Sequence, residues 1–155
     1  MNKKKSKKYW MEKYSSLLKS LNKKKVNIMA NKLIKKSSSV KSSMIVRSKK
    51  KKVKCNITLE QIRQLIYEVY GTKCKYDKQR TIDYHNMVFD HIIPISKGGE
   101  TTLKNIQIIS KTSNTMKGSL SEQDFYRLLK WLDKLDEPLK KYVKTRLANG
   151  KFGSL

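Results

Sequence analysis

The sequence predicts an α+β protein: a short two-stranded hairpin-like unit closed by a helix, flanked by further helices and preceded by a basic helical N-terminal arm. Three observations predict it. Two short extended runs, 86–92 and 105–108, are separated by chain breakers. Amphipathic stretches of helical period stand on either side of them. The positive charge is concentrated at one end: residues 1–57 hold 20 lysines and arginines against one acid, a net of +19, whereas residues 58–155 carry a net of +6. A chain of 155 residues has room for one modest core and an appendage. The expected division is an arm and linker at 1–57, a core at 58–120, and C-terminal helices packing on the core at 121–155.

Each element has a local reason. Trp10, Tyr14, Leu17, Leu18, Leu21, Ile28, Met29 and Leu33 recur at roughly helical spacing, interrupted by Lys23-Lys24-Lys25, which predicts one long or two short basic helices over 9–36. Residues 37–56 turn to serine and lysine and read as a linker, or as an arm that becomes ordered on its ligand. Thr58 and Gln61 have capping-box spacing, Leu59, Ile62, Leu65, Ile66 and Val69 share a face, and Gly71 follows, so a helix is expected at 59–70. Pro94 and Gly98-Gly99 break the first extended run before Asn105 to Ile108 makes the second, and a helix over about 109–117 closes the unit. Ser121 caps a helix running to about Leu135. Pro138 starts a last helix that ends near Asn149-Gly150.

The formal charge of +25 exceeds what solubility requires and implies an extended anionic partner, nucleic acid or an acidic membrane surface. Lysine dominates, with arginine only at positions 47, 63, 80, 127 and 146. Lysine is a flexible point charge toward phosphate, so the arm is expected to supply affinity more than base discrimination. No apolar run reaches the length of a signal or membrane segment. Two cysteines cannot build a disulfide framework, and an intracellular, reducing setting is expected.

Residues 90–118 present an ordered set: Asp90-His91, Pro94, Gly98-Gly99, Asn105, and Asn114 with Lys117 three residues on. Hydrolysing a phosphodiester requires a deprotonated water, a cation to absorb charge in the transition state, and stabilisation of the leaving oxygen. A histidine near its ordinary pKa can take the water's proton. A hard divalent ion on oxygen ligands can meet the other two needs. This set resembles the HNH nuclease family, over roughly residues 58–120.

The resemblance implies a ββα-metal core, with His91 as general base and Asp90 and Asn114 as ligands of a single Mg²⁺ (or Mn²⁺). Asn105 would brace the loop between the strands, and Lys117 and Lys97 would meet the substrate phosphate. DNA is the implied partner, gripped by Lys23, Lys24, Lys25, Arg47, Lys49, Lys50, Lys51 and Lys52, with no membrane involved. An Asp–Asn pair offers oxygen donors with little charge, which suits Mg²⁺ better than Zn²⁺. Many members also carry two Cys-x-x-Cys pairs around a structural zinc. Here those positions read Cys74-Lys75-Tyr76-Asp77 and Ser110-Lys111-Thr112-Ser113, so no structural zinc is expected.

The expected activity is therefore metal-dependent hydrolysis of DNA phosphodiesters, nicking one strand per site, by a monomer or homodimer. Direction by another protein is left open. The small size and lysine-rich arm look like a phage or mobile-element enzyme. The alternative is a non-catalytic basic nucleic-acid-binding protein with an HNH-like fold. A membrane-surface protein would account for residues 9–36 but leave 90–118 without a purpose. His85 reads as a solvated strand-edge residue or a substrate contact. One geometric tension remains: neighbours on a strand point to opposite faces, yet Asp90 and His91 must serve one site.

Overall fold

The computed structural model describes residues 5–19 and 21–150. Three helices come first. Helix α1 (Lys7–Leu17) is capped by the Ser6 side chain, α2 (Lys23–Lys51) by Asn22, and α3 (Leu59–Val69) by the expected Thr58–Gln61 box, with both of its hydrogen bonds made. The serine-rich stretch read as a linker is helix up to Lys51, a correction to the sequence reading. Its serines bond back to carbonyls within α2, as Ser37 does to Ile34 at 2.6 Å and Ser42 to Ser38 at 3.2 Å. Ala30, Leu33, Ile34, Ser37, Met44 and Ser48 form the buried stripe of α2.

A small hairpin follows, β1 (Lys73–Cys74) against β2 (Asp77–Thr81). Strands β3 (Met87–His91) and β4 (Ile106–Ser110) then pair antiparallel, with Phe89 opposite Ile108, Asp90 opposite Gln107 and His91 opposite Ile106. Helix α4 (Lys111–Lys117) leaves the end of β4, capped by Ser110. Helices α5 (Glu122–Leu132), capped by Ser121, and α6 (Glu137–Ala148), with proline in its first turn, complete the described chain. No helix among the described residues is long and apolar enough to cross a membrane.

One apolar core joins the N-terminal helices to the sheet. Trp10, Tyr14, Leu33 and Met44 belong to the same buried cluster as Ile62, Ile66, Phe89, Ile106 and Ile109. The division expected at residue 57 therefore falls inside shared packing. The C-terminal helices dock elsewhere, with the Phe125 ring edge-on to Tyr76 at 4.9 Å.

The loop from β3 to β4 is folded tightly. Asn105 is its brace: its side chain accepts from Ile93 N at 2.8 Å and donates to the carbonyls of Ile93 at 3.1 Å and Glu100 at 2.8 Å. Gly99 is pressed against the same stretch. A Cβ there would lie 1.9 Å from the Ile93 carbonyl oxygen, so no other residue fits without moving the backbone.

Candidate active site

Strand β3 ends at a cleft of about 400 Å³ whose lining includes Asp90, His91, Asn114, Arg47 and Lys36. The pleat does send Asp90 and His91 to opposite faces, and each is held by different elements. Both nevertheless line the one cleft, which runs along β3 from Met87 to His91. A larger groove of about 750 Å³ lies along α6, but it has no histidine, and its Lys140 is already paired with Asp133 and Glu137.

Asp90 is held on one oxygen. Its Oδ2 accepts from Gln107 Nε2 at 3.0 Å and lies 3.1 Å from Lys117 Nζ. Gln107 also donates to the Tyr76 hydroxyl at 3.0 Å, and Tyr76 donates to Glu122 at 2.7 Å, so the carboxylate is tied through β4 to the C-terminal helices. Both contacts to Asp90 fall on Oδ2 and neither uses Oδ1.

Lys117 lies elsewhere than its spacing implied. Its side chain is fully buried, donating to the His91 carbonyl at 2.9 Å as well as facing Asp90. The reason is that this face of α4 meets the end of the sheet, so a residue one turn beyond Asn114 points under the site. Lys117 is a brace for Asp90 and His91 rather than a phosphate contact. Lys97 is exposed and is not part of the cleft lining. Lys23, Lys24 and Lys25 stand exposed at one end of α2, and Lys49, Lys50, Lys51 and Lys52 at the other. Of the arm residues expected on DNA, Arg47 is the one that lines the cleft.

His91 is buried, and its Nε2 lies 2.8 Å from the Thr101 hydroxyl. Burial pushes its pKa below the ordinary 6.5. The Asp90 carboxylate opposes that shift, while Arg47 and Lys117 add to it. The ring is therefore neutral at neutral pH. His85 is exposed beside Tyr84 and does not line the cleft. Thr101, Gln107 and Ser48, which touch or support the site, were not signalled by the sequence, since their types are common and their spacing carries no pattern.

Among the described residues, no three His, Cys, Asp or Glu side chains gather as a metal cluster. A divalent ion would depend on Asp90 and the Asn114 amide. The donor set fits a hard ion: both are oxygen donors on one cleft, and Oδ1 of Asp90 is outside the contacts that anchor the residue. The positions where the resemblance places zinc thiolates lie together at another corner. Cys74 is paired with Asp77 across the hairpin, its sulfur is 3.5 Å from Ser113 Oγ and accepts from Ser110 N at 3.4 Å, and Ser110 Oγ lies 2.9 Å from Ser113 Oγ. Hydrogen bonds hold this corner.

Residues 72–120 match the family model described as HNH endonuclease. No curated protein and no solved structure matches the chain.

Proposed function

We propose that this chain, a member of the HNH endonuclease family through residues 72–120, hydrolyses DNA phosphodiester bonds at the cleft where β3 ends. The observation that carries the proposal is the convergence of Asp90, His91 and Asn114 on one cleft whose wall also carries Arg47 and Lys36 from the basic helix. Arg47, whose charge reaches His91, draws a phosphate toward the neutral imidazole, while Lys36 donates to the Tyr84 carbonyl at 2.8 Å and lines the wall. In the tautomer whose Nε2–H donates to the Thr101 hydroxyl, Nδ1 is the nitrogen left to accept a proton from the attacking water. A Mg²⁺ or Mn²⁺ ion on Asp90 and Asn114 would supply charge stabilisation at the phosphate and leaving oxygen. Lys117 and Gln107 hold the carboxylate still, and Asn105 fixes the loop that follows His91. One site cuts one strand, leaving a nick with 5′-phosphate and 3′-hydroxyl ends as the resemblance implies.

The test is relaxation of a supercoiled plasmid. Nicked circles are expected with Mg²⁺ or Mn²⁺, and none with EDTA. His91→Ala should lower the rate by about 10²- to 10⁴-fold, the usual worth of a general base. A plasmid bound but never nicked, or nicked equally by His91→Ala, would leave the non-catalytic DNA-binding reading standing.

A further inference from the structure

Behind the cleft, three distant parts of the chain meet at a pair of buried hydroxyls. Ser48, on the last turns of α2, is 1% exposed, and Thr101, in the β3–β4 loop, is 0% exposed. Their oxygens lie 2.7 Å apart, and the Thr101 oxygen lies 2.8 Å from His91 Nε2. Thr101 cannot drift, because its backbone is stitched to the segment after α2. Its N–H donates to the Lys54 carbonyl at 2.8 Å, and its carbonyl accepts from Asn56 N at 3.2 Å and Ile57 N at 3.3 Å. An imidazole held only by its Cβ can swing about the Cβ–Cγ bond. A bond at Nε2 to a hydroxyl fixed on two sides removes that freedom.

We propose that Ser48 and Thr101 are positioning residues for His91, clamping its ring at Nε2 so that Nδ1 faces water in the cleft. Nicking would then depend on α2 being seated, because α2 delivers Ser48. The consequence for nicking rests on the nuclease reading above, whereas the clamp itself does not.

The experiment uses the full chain and the variants Thr101→Val, Thr101→Ser and Ser48→Ala. Three quantities are compared: the single-turnover nicking rate with Mg²⁺, the Kd for plasmid DNA, and the ¹⁵N signals of the His91 ring in metal-free protein at about pH 8. Thr101→Val keeps the shape and loses the hydroxyl, and should cut about 10- to 100-fold more slowly, the range typical of outer partners that orient a functional side chain. Its DNA affinity should be unchanged. Thr101→Ser keeps the hydroxyl and should restore most of the rate. Ser48→Ala should slow cutting in the same way and add little on top of Thr101→Val, since both act through one chain of bonds. The His91 ring signals should report a fixed proton on Nε2 in the wild type and move toward a mixture of tautomers in Thr101→Val.

Wild-type cutting by Thr101→Val would overturn the proposal. So would an equal loss in Thr101→Ser, or ring signals identical in wild type and Thr101→Val. If Thr101→Val does not fold, Ser48→Ala decides by the same rate and ring signals. If the wild type never nicks, the nuclease reading fails, and the ring signals alone decide the clamp.

Discussion

A carboxylate anchored through one oxygen keeps the other as an electron-pair donor for a further partner. Asp90 has that division, with Oδ2 engaged by Lys117 and Gln107. The Lys117 ammonium is fully buried, so removing it would leave a largely buried carboxylate without its partner. Breaking such a pair costs about 3 kcal/mol. Lys117→Met, similar in length, is expected to lower the urea midpoint accordingly with an unchanged slope, and to slow nicking while leaving DNA affinity intact. Weakened DNA binding with full stability would return Lys117 to the phosphate. At this scale residue type and order made the placement legible: Asp90, His91 and Asn114 line one cleft, and Asn105 braces the loop beside it. For Lys117 the spacing gave the helix face but not what that face meets. Ser48 and Thr101 stand 53 positions apart and carry no pattern, so only packing brings them together.

Among the elements, α2 was half legible. Its stripe at 30, 33, 34, 37, 44 and 48 has helical spacing, but two of those six residues are serines, so the apolar period fades where the helix continues. The β1–β2 hairpin gave no signal because Asp77 to Thr81 is polar and lies mostly exposed, without alternation. The capping box of α3 was fully legible because its chemistry is local. At the start of α5, burial alone would raise the pKa of Glu122. The hydrogen bonds from Lys75 and Tyr76 outweigh burial and hold it below the ordinary 4.5. The unfolded chain therefore takes up this proton first. The attachment adds stability above about pH 4.5, and that contribution drains away as pH falls through the lower folded value. Amide exchange in α5 should accelerate over that acid window in the wild type. Glu122→Gln should exchange faster at neutral pH and lose most of the acid dependence.

For the molecule as a whole, the charged N-terminal segment is part of the folded body that carries the cleft. Trp10, Tyr14, Leu33 and Met44 are buried with Ile62, Phe89 and Ile109. Deleting residues 1–51 is therefore expected to abolish cooperative unfolding, as read by circular dichroism, beyond any weakening of DNA binding. A stable folded remnant would show that the helices are dispensable to the core. The charge asymmetry was legible from composition, and the shared core was not, because composition separates what packing joins.

On the proposed function, helix α2 would act as a ruler. Its lysine-rich first turn and Arg47 at the cleft are 23 residues apart, roughly 35 Å along a helix axis. That length matches about ten base pairs of duplex. Because Lys23–Lys51 is one continuous helix, an incision at the cleft would fall at a set offset from DNA held by its first turn, and a hydroxyl-radical footprint should extend about that far to one side of the nick. Protection symmetric about the cut would mean that the ruler is not laid along the DNA.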